Sequence, residues 1–520
     1  MTVRGHQLAI DWSQQGTFAN ALEDASSYAL AGDIEVSWGR DVSGENTLKS
    51  TAGQLLFSLN NEGQLFSPEN SSSPIAGKIL PNRPVRYQVT NGGVTYTLLS
   101  GQLDDFDVSG DPVGVFSGTA LDGWGQPGSA TLSTPLYRGI RTGDAIGYVL
   151  DEIGWTGGRD IDPGATYMPW WWEEGTDADT AITKLVHSEG PPAIAYVEGG
   201  TFVFKDRHHR IFDARSTTSQ GTYTHTIPAG AVAGDFKIEA GSFVYDHGAK
   251  RIANSATFSV DLRAPQKIAE VWTQDDLLTV AAGDTLRLIV QTTGPFLGAV
   301  VPSVESGDIQ LQSGAVSSVT LSRTSGQSAI LSITCSGASV ITRVAVRASP
   351  VSVVRTVQVS AQDTGSIGHF GIQQWPDDAA PTWANQYDAQ AIATKIVAVY
   401  ANYRPTITFS VVGLDATYLA EILASRISDR ITVRNDARGI NADFMIERLK
   451  HRITSLGVVH RLEITCQAAE PTQPANLFTF GVAGKGFNQG LFGVEGIDNA
   501  SNVFRFDVAG QGFDQGSFAN

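Results

Sequence analysis

The stretch from Asp144 to Arg207 constrains the fold most, because it sets helical and strand periods side by side within one short span. Ile146, Val149, Leu150 and Ile153 stand at i, i+3, i+4 and i+7, the stripe of a short helix after Thr142-Gly143-Asp144 that Gly154-Trp155 ends. The run Trp170-Trp171-Trp172-Glu173-Glu174 follows. Thr176 is then the expected N-cap of a second helix, with Asp177 and Asp179 in its first turn and Ala178, Ala181, Ile182, Leu185 and Val186 as its buried stripe. Gly190-Pro191-Pro192 stops it, and two strands meeting at Gly199-Gly200 predict a hairpin of the primed-turn type.

A related order returns between Asp388 and Cys466. Ile392, Ile396, Val399 and Tyr400 line a helix that Pro405 cannot continue. A strand from Thr406, a helix capped by Asp415 with Leu419, Ile422 and Leu423 inward, and a strand near Asp429 follow. In the last strand Val458, His460, Leu462, Ile464 and Cys466 alternate. The two stretches together predict one compact α+β body with β-rich material before, between and after them.

At 520 residues the chain is too long for one core, and about three to five domains are expected. From Leu8 the sequence reads as an irregular arm pinned by Trp12 and Phe18, leading into a strand with Ile34, Val36 and Trp38 on one face. Turns at Asn60-Asn61-Glu62-Gly63 and Asn91-Gly92-Gly93 then mark a small antiparallel barrel or sandwich running to about Tyr137. Between Ala249 and Gln362 helical periods are absent and short runs recur at 256–262, 286–290, 319–321, 329–334 and 353–359, predicting an inserted β-sandwich.

Several spaced motifs carry a resemblance. Trp38-Gly39-Arg40-Asp41, Leu59-Asn60-x-x-Gly63-x-x-Phe66-Ser67-Pro68-x-Asn70, Ser73-Pro74-x-x-Gly77 and Pro81-x-Arg83-Pro84-Val85 are similar to the N-terminal domain of minor tail proteins of long-tailed bacteriophages of Actinobacteria. The helix followed by Tyr403-Arg404-Pro405, the run Ser428-Asp429-Arg430-Ile431-Thr432-Val433, and the hairpin from Met445-Ile446-Glu447 to His460-Arg461-Leu462 resemble the hub domains of phage baseplates and tail tips. The resemblance implies a mainly β, multidomain tail-hub architecture with α+β parts, small β-barrels, short helices and an inserted β-sandwich. It also implies a homotrimer whose paired barrels give quasi-sixfold symmetry. On it the chain divides into an arm (1–30), a first barrel-like domain (31–141), an α+β hub segment (142–245), the inserted sandwich (246–368), a second hub segment (369–468) and an appendage (469–520).

The appendage is an internal repeat. Asn476 to Phe492 returns from Asn502 to Phe518, 26 residues on, keeping Phe480/Phe506, Phe487/Phe513 and Phe492/Phe518. So short a Gly/Phe-rich unit cannot close a core alone, and these six phenylalanines are expected to dock on the hub, a symmetry mate or another protein.

Charge and motifs narrow the chemistry. Lys plus Arg number 36 against 53 Asp plus Glu, a formal net charge of −17 that gives no broad footprint for nucleic acid or an anionic bilayer. The sequence has no nucleophile elbow, His-Glu-x-x-His pair or phosphate-binding loop. Glu173, Glu174, Asp177 and Asp179 have the residue types for glycoside cleavage beside aromatic rings, but read as a solvated helix entry. Trp170, Trp171 and Trp172 suit sugar stacking or an interface; in extended chain they alternate sides, so at least one ring should pack in a core or against another subunit. Asp206, His208 and His209, and His451 facing His460 across a hairpin near Leu456, lack metal-ligand spacing, and Asp104, Asp105 and Asp107 read as an acidic turn. Cys335 and Cys466 read as small buried apolar groups.

The reading is therefore a non-enzymatic virion protein at the distal end of a phage tail, made in the host cytoplasm, with no cofactor or metal and no membrane-spanning run. Its expected partners are the distal tail ring, the tape-measure end and tip or receptor-binding proteins, with DNA passing through unbound. The competing readings are a cell-wall or polysaccharide hydrolase and a glycan-binding adhesin.

Overall fold

Strand Ile34–Gly39 pairs antiparallel with strand Ile440–Thr454, from Ile34 opposite Ile453 to Gly39 opposite Arg448, and this ladder joins segments some 400 residues apart. The computed structural model describes residues 4–470, except 21, 31–33, 41, 43–49, 111–113, 125–129, 227–233, 377–378, 414 and 455–458. The repeats, with Phe480, Phe487, Phe492, Phe506, Phe513 and Phe518, lie outside the described residues, as do Asp41, Leu456 and Val458.

On one side of the ladder lies an antiparallel meander of Thr51–Asn61, Gly114–Asp122, Val94–Ser109 and Pro84–Asn91, ending in Arg4–Ile10. Within the expected irregular arm, Arg4–Ile10 is thus a strand. Leu8, Ala9 and Ile10 are all buried, which hides the alternation that would have marked the strand. Trp12 is fully buried and Phe18 lies half-buried beneath the Arg86 guanidinium. On the other side, Arg430–Asn435, Ser219–Thr224, Asp235–Lys237, Thr406–Val412 and Val459–Ala468 complete a second β-unit in the same sheet. Both β-units contribute to one continuous hydrophobic core.

A second core collects three of the helices, while Leu419, Ile422 and Leu423 of helix Ala416–Ala424 pack in the first. Thr142–Glu152, Ala178–Glu189 and Gln386–Tyr400 bury Ile146, Val149, Leu150, Ile182, Leu185, Ile392 and Ile396 together. The N-cap of the middle helix is Asp177 rather than Thr176, which sits in a two-residue strand. The single body expected from the two stretches is instead shared between cores: the Gln386–Tyr400 helix joins the first stretch, while the strands after it join the sheet. Strand pairing decides this, since Arg430–Asn435 runs parallel to Ser219–Thr224.

The inserted region is a β-sandwich on a stem. Ser255–Pro265 pairs with the far half of the 24-residue strand Ser339–Gln362, and Ala256, Phe258, Val260 and Val359 pack in the second core. The near half of that strand enters a sheet facing the layer of Thr285–Gln291, Ser328–Cys335 and Val316–Arg323, with Val290, Leu331, Ile333 and Val344 between them. Cys335 is buried there and Cys466 in the first core. The chain is mainly β with short helices.

The Gly199-Gly200 hairpin ties the two cores. Both glycines have positive φ, 56° and 90°, and a Cβ on Gly199 would come within 2.7 Å of the Thr97 carbonyl oxygen. Gly199→Val is expected to destabilise the protein by about 2 kcal/mol or more, from left-handed strain of about 1–2 kcal/mol plus the clash, read from a denaturant midpoint.

Candidate functional site

The sites with the densest chemistry are joints between segments. At the first, the Glu447 carboxylate sits fully buried between two guanidinium groups, 2.8 Å from Arg40 Nη2 and 2.7 Å from Arg210 Nη1. Burial alone would push its pKa up, but the charges of Arg210 and Arg40 outweigh it and hold the group down to about 2. Arg40 also donates to the Ala193 carbonyl, and its backbone N–H to that of Glu447. Arg210 Nε donates to Ser428 Oγ, Ser216 Oγ donates to the Ser428 carbonyl, and Arg215 grips Asp429 with two bonds of 2.7 and 2.6 Å. Gly39 lets the strands approach, since a Cβ there would lie 2.4 Å from the Glu447 carbonyl oxygen.

This network gathers Arg40 of the N-terminal motif, Ser428 and Asp429 of the later run, and Glu447 of the final hairpin. Arg210 and Arg215, on the short helices His209–Phe212 and Ala214–Thr217, went unnoticed in the sequence, where the only available signal was an arginine cluster beside His208 and His209. The other motif residues fix local turns. Asn61 accepts from the Phe66 N–H and donates to Ser67 Oγ, Asn70 donates to the Gly63 and Gln64 carbonyls, and Arg83 to that of Lys78.

The tryptophan run is the second joint. Strand Tyr167–Trp171 pairs with Tyr137–Arg141, and alternation sends Trp171 one way and Trp170 and Trp172 the other. Trp171 is fully buried in the helical core against Tyr137. Trp170 Nε1 donates to the Arg263 carbonyl and Trp172 Nε1 to Gln327 Oε1 at 2.6 Å, and their rings pack with Val351, Leu297 and Trp383 at the base of the sandwich. Trp170 and Trp172 are each only 8% exposed, and what remains open lines a small cavity of about 220 Å³ shared with Arg263 and Trp383.

The neighbouring acids are engaged too. Glu174 accepts from Ser325 and Ser328 of the sandwich, and Glu173 pairs with Lys184 at 3.1 Å. Neither pairing resembles two carboxylates flanking a substrate.

Among the metal-capable groups, His209 Nδ1 lies 2.8 Å from Asp162 and its Nε2 lies 3.0 Å from Lys205 Nζ, so both ring nitrogens are engaged. His451 does face His460, Nδ1 to Nε2 at 2.8 Å, with Trp38 stacked on His451. Among the described residues, no three His, Cys, Asp or Glu side chains gather as a metal site would require. Asp104, Asp105 and Asp107 form no turn: they lie in strand Val94–Ser109, where a register shift between Leu103 and Asp105 leaves all three exposed.

Burial holds the His451 pKa down to about 3, so folding favours its neutral form. Its contribution to stability is complete above the unfolded value of about 6.5 and declines as pH falls from there toward 3. Denaturation between pH 7 and 5 is expected to approach a slope of about 1.4 kcal/mol per pH unit from this group, and His451→Phe removes that component.

No protein-family model matches the chain, and no curated protein matches it. Among solved structures, the 43 kDa tail protein of prophage MuSo2 from Shewanella oneidensis is similar over 89% of this chain and 98% of its own, at 10% identity and a TM-score of 0.48. A tail protein from Neisseria meningitidis covers 89% and 96% at 10% identity and 0.47. A prophage tail protein from Listeria monocytogenes covers 89% and 94% at 10% and 0.41.

Proposed function

We propose that the chain is a structural protein of a bacteriophage tail, the minor tail protein forming the hub that closes the tail tube at its tip, in a long-tailed phage of Actinobacteria. The observation that carries this reading is the ladder between Ile34–Gly39 and Ile440–Thr454, which sets two β-units side by side in one sheet. The residues that lock the ladder, Arg40, Ser428, Asp429 and Glu447, lie in the motifs by which the sequence resembles tail and hub proteins. Three subunits with two such units each would present six β-units to a sixfold tube. A sandwich on a stem suits a part projecting toward tip or receptor-binding proteins, and a net charge of −17 suits a channel that DNA traverses without being held.

Imaging of intact particles tests the reading. Three copies of this chain in a ring at the distal tail end are expected, with the distal tail ring and tape-measure end as neighbours. Particles lacking the chain at the tail, or a strongly basic lumen, would overturn it. The hydrolase reading is addressed by Glu174→Gln. Because Glu174 bonds to Ser325 and Ser328, the substitution is expected to loosen the sandwich, seen as faster proteolysis near 263–266 and 350–352, while parent and variant alike show no turnover of wall polysaccharide; turnover by the parent that the substitution abolishes would favour the hydrolase.

A further inference from the structure

An exposed apolar surface lies where three segments distant in sequence meet among the described residues. The rings of Tyr245 and His247 lie 4.9 Å apart, those of His247 and Tyr403 6.3 Å, and those of Tyr403 and Phe370 5.2 Å, so three distant segments form one aromatic row. Val244, Ile372 and Tyr403 on these segments are 61%, 68% and 54% exposed. Strand Val244–Asp246 pairs only with Thr406–Val412 among the described residues, so its other edge is open beside the row. Contiguous exposed apolar surface next to an open strand edge marks a contact site.

The place where the described chain ends points to the occupant. The Glu470 carboxylate is fixed by Lys395 at 2.7 Å and Arg404 at 3.6 Å, and Arg404 adjoins Tyr403. Phe478 and Phe480 follow Glu470 by eight and ten residues, chain lengths of at most about 29 and 36 Å at about 3.6 Å per residue. The repeat they open, 476–492, has four phenylalanines and a single charged residue, Lys485. The second repeat carries Arg505, Asp507 and Asp514, so the first is the better match to an apolar surface.

We propose that residues 476–492 dock in cis on the surface formed by Val244, Tyr245, His247, Phe370, Ile372 and Tyr403, covering the open strand edge. This follows from the fold and the chain's exit point, and stands whether or not the tail-hub reading holds.

Hydrogen exchange on the full-length chain tests it. With Phe478, Phe480, Phe487 and Phe492 all changed to Ser, the amides of 243–247 and 369–372 are expected to exchange about tenfold faster than in the parent. The same change at Phe504, Phe506, Phe513 and Phe518 leaves them as they were. A photo-crosslinking residue in place of the exposed Tyr403 is expected to capture 476–492 of the same chain. Unchanged exchange in the first variant, a response only to the second, capture of other residues, or protection that grows with protein concentration, as for a second copy's tail, overturns the assignment.

Discussion

Glu447→Ala is expected to destabilise the joined β-units by about 3–5 kcal/mol, because it strands two buried guanidinium groups without a counter-charge. Arg40 and Arg210 are 3% and 4% exposed at the side chain, too enclosed for water to take the carboxylate's place. The readout is the denaturant dependence of hydrogen exchange at 34–39 and 440–454, the strands that the triad joins. A companion variant separates mechanism from mere damage: Arg40→Met, Arg210→Met and Glu447→Leu together remove every charge of the triad at similar volume. That triple variant is expected to recover most of the loss, because buried ion pairs contribute little net stability over well-packed apolar groups. A triple variant as unstable as Glu447→Ala would refute this account.

The pH dependence of the same site has a definite sign. The folded pKa of Glu447, about 2, lies below its unfolded value of about 4.3, so its contribution is complete above 4.3 and is lost as pH falls toward 2. This window overlaps that of His451 between about 4.3 and 3, where the two losses add, so a titration of stability on the His451→Phe background isolates the Glu447 loss.

What the sequence made legible was what rests on local period. The helix stripes at Ile146 to Ile153 and Ala178 to Val186, the Asp415 cap and the Gly199-Gly200 turn need only neighbours along the chain to declare themselves. Alternation also placed Ile34, Val36 and Trp38 on one face, but it gives a face and not a partner, so pairing with Ile440–Thr454, some 400 residues away, was invisible. The buried arginines were hidden for a related reason. Arg40, Arg207, Arg210, Arg251, Arg404 and Arg430 are each 7% exposed or less, and an arginine in sequence reads as surface until the acid or carbonyl that receives it is known. Asp104, Asp105 and Asp107 misled in the opposite direction, since three acids in four residues suggest a turn and only the register shift explains a strand.

Trp171→Ala and Trp172→Ala, one position apart, are expected to fail in different ways. Trp171 has no exposed surface and stacks on Tyr137 at 5.5 Å within the helical core, so its removal opens a cavity there and destabilises that core by about 3–5 kcal/mol. Trp172 instead faces the sandwich, meeting Gln327, Trp383 at 5.1 Å and the Arg263 guanidinium at 5.2 Å. Its removal leaves the helical core packed but unseats the sandwich on its stem. Calorimetry of the first variant should therefore show the main transition shifted down, and calorimetry of the second a separate, earlier transition for the sandwich with the main one retained. Gly326, whose Cβ would approach Trp172 Cβ to 3.0 Å, provides an independent route to the second outcome, because Gly326→Leu presses on the same contact from the sandwich side. If Trp172→Ala lowered the main transition as far as Trp171→Ala does, the run would be one piece of core and the sandwich would be held by its stem alone.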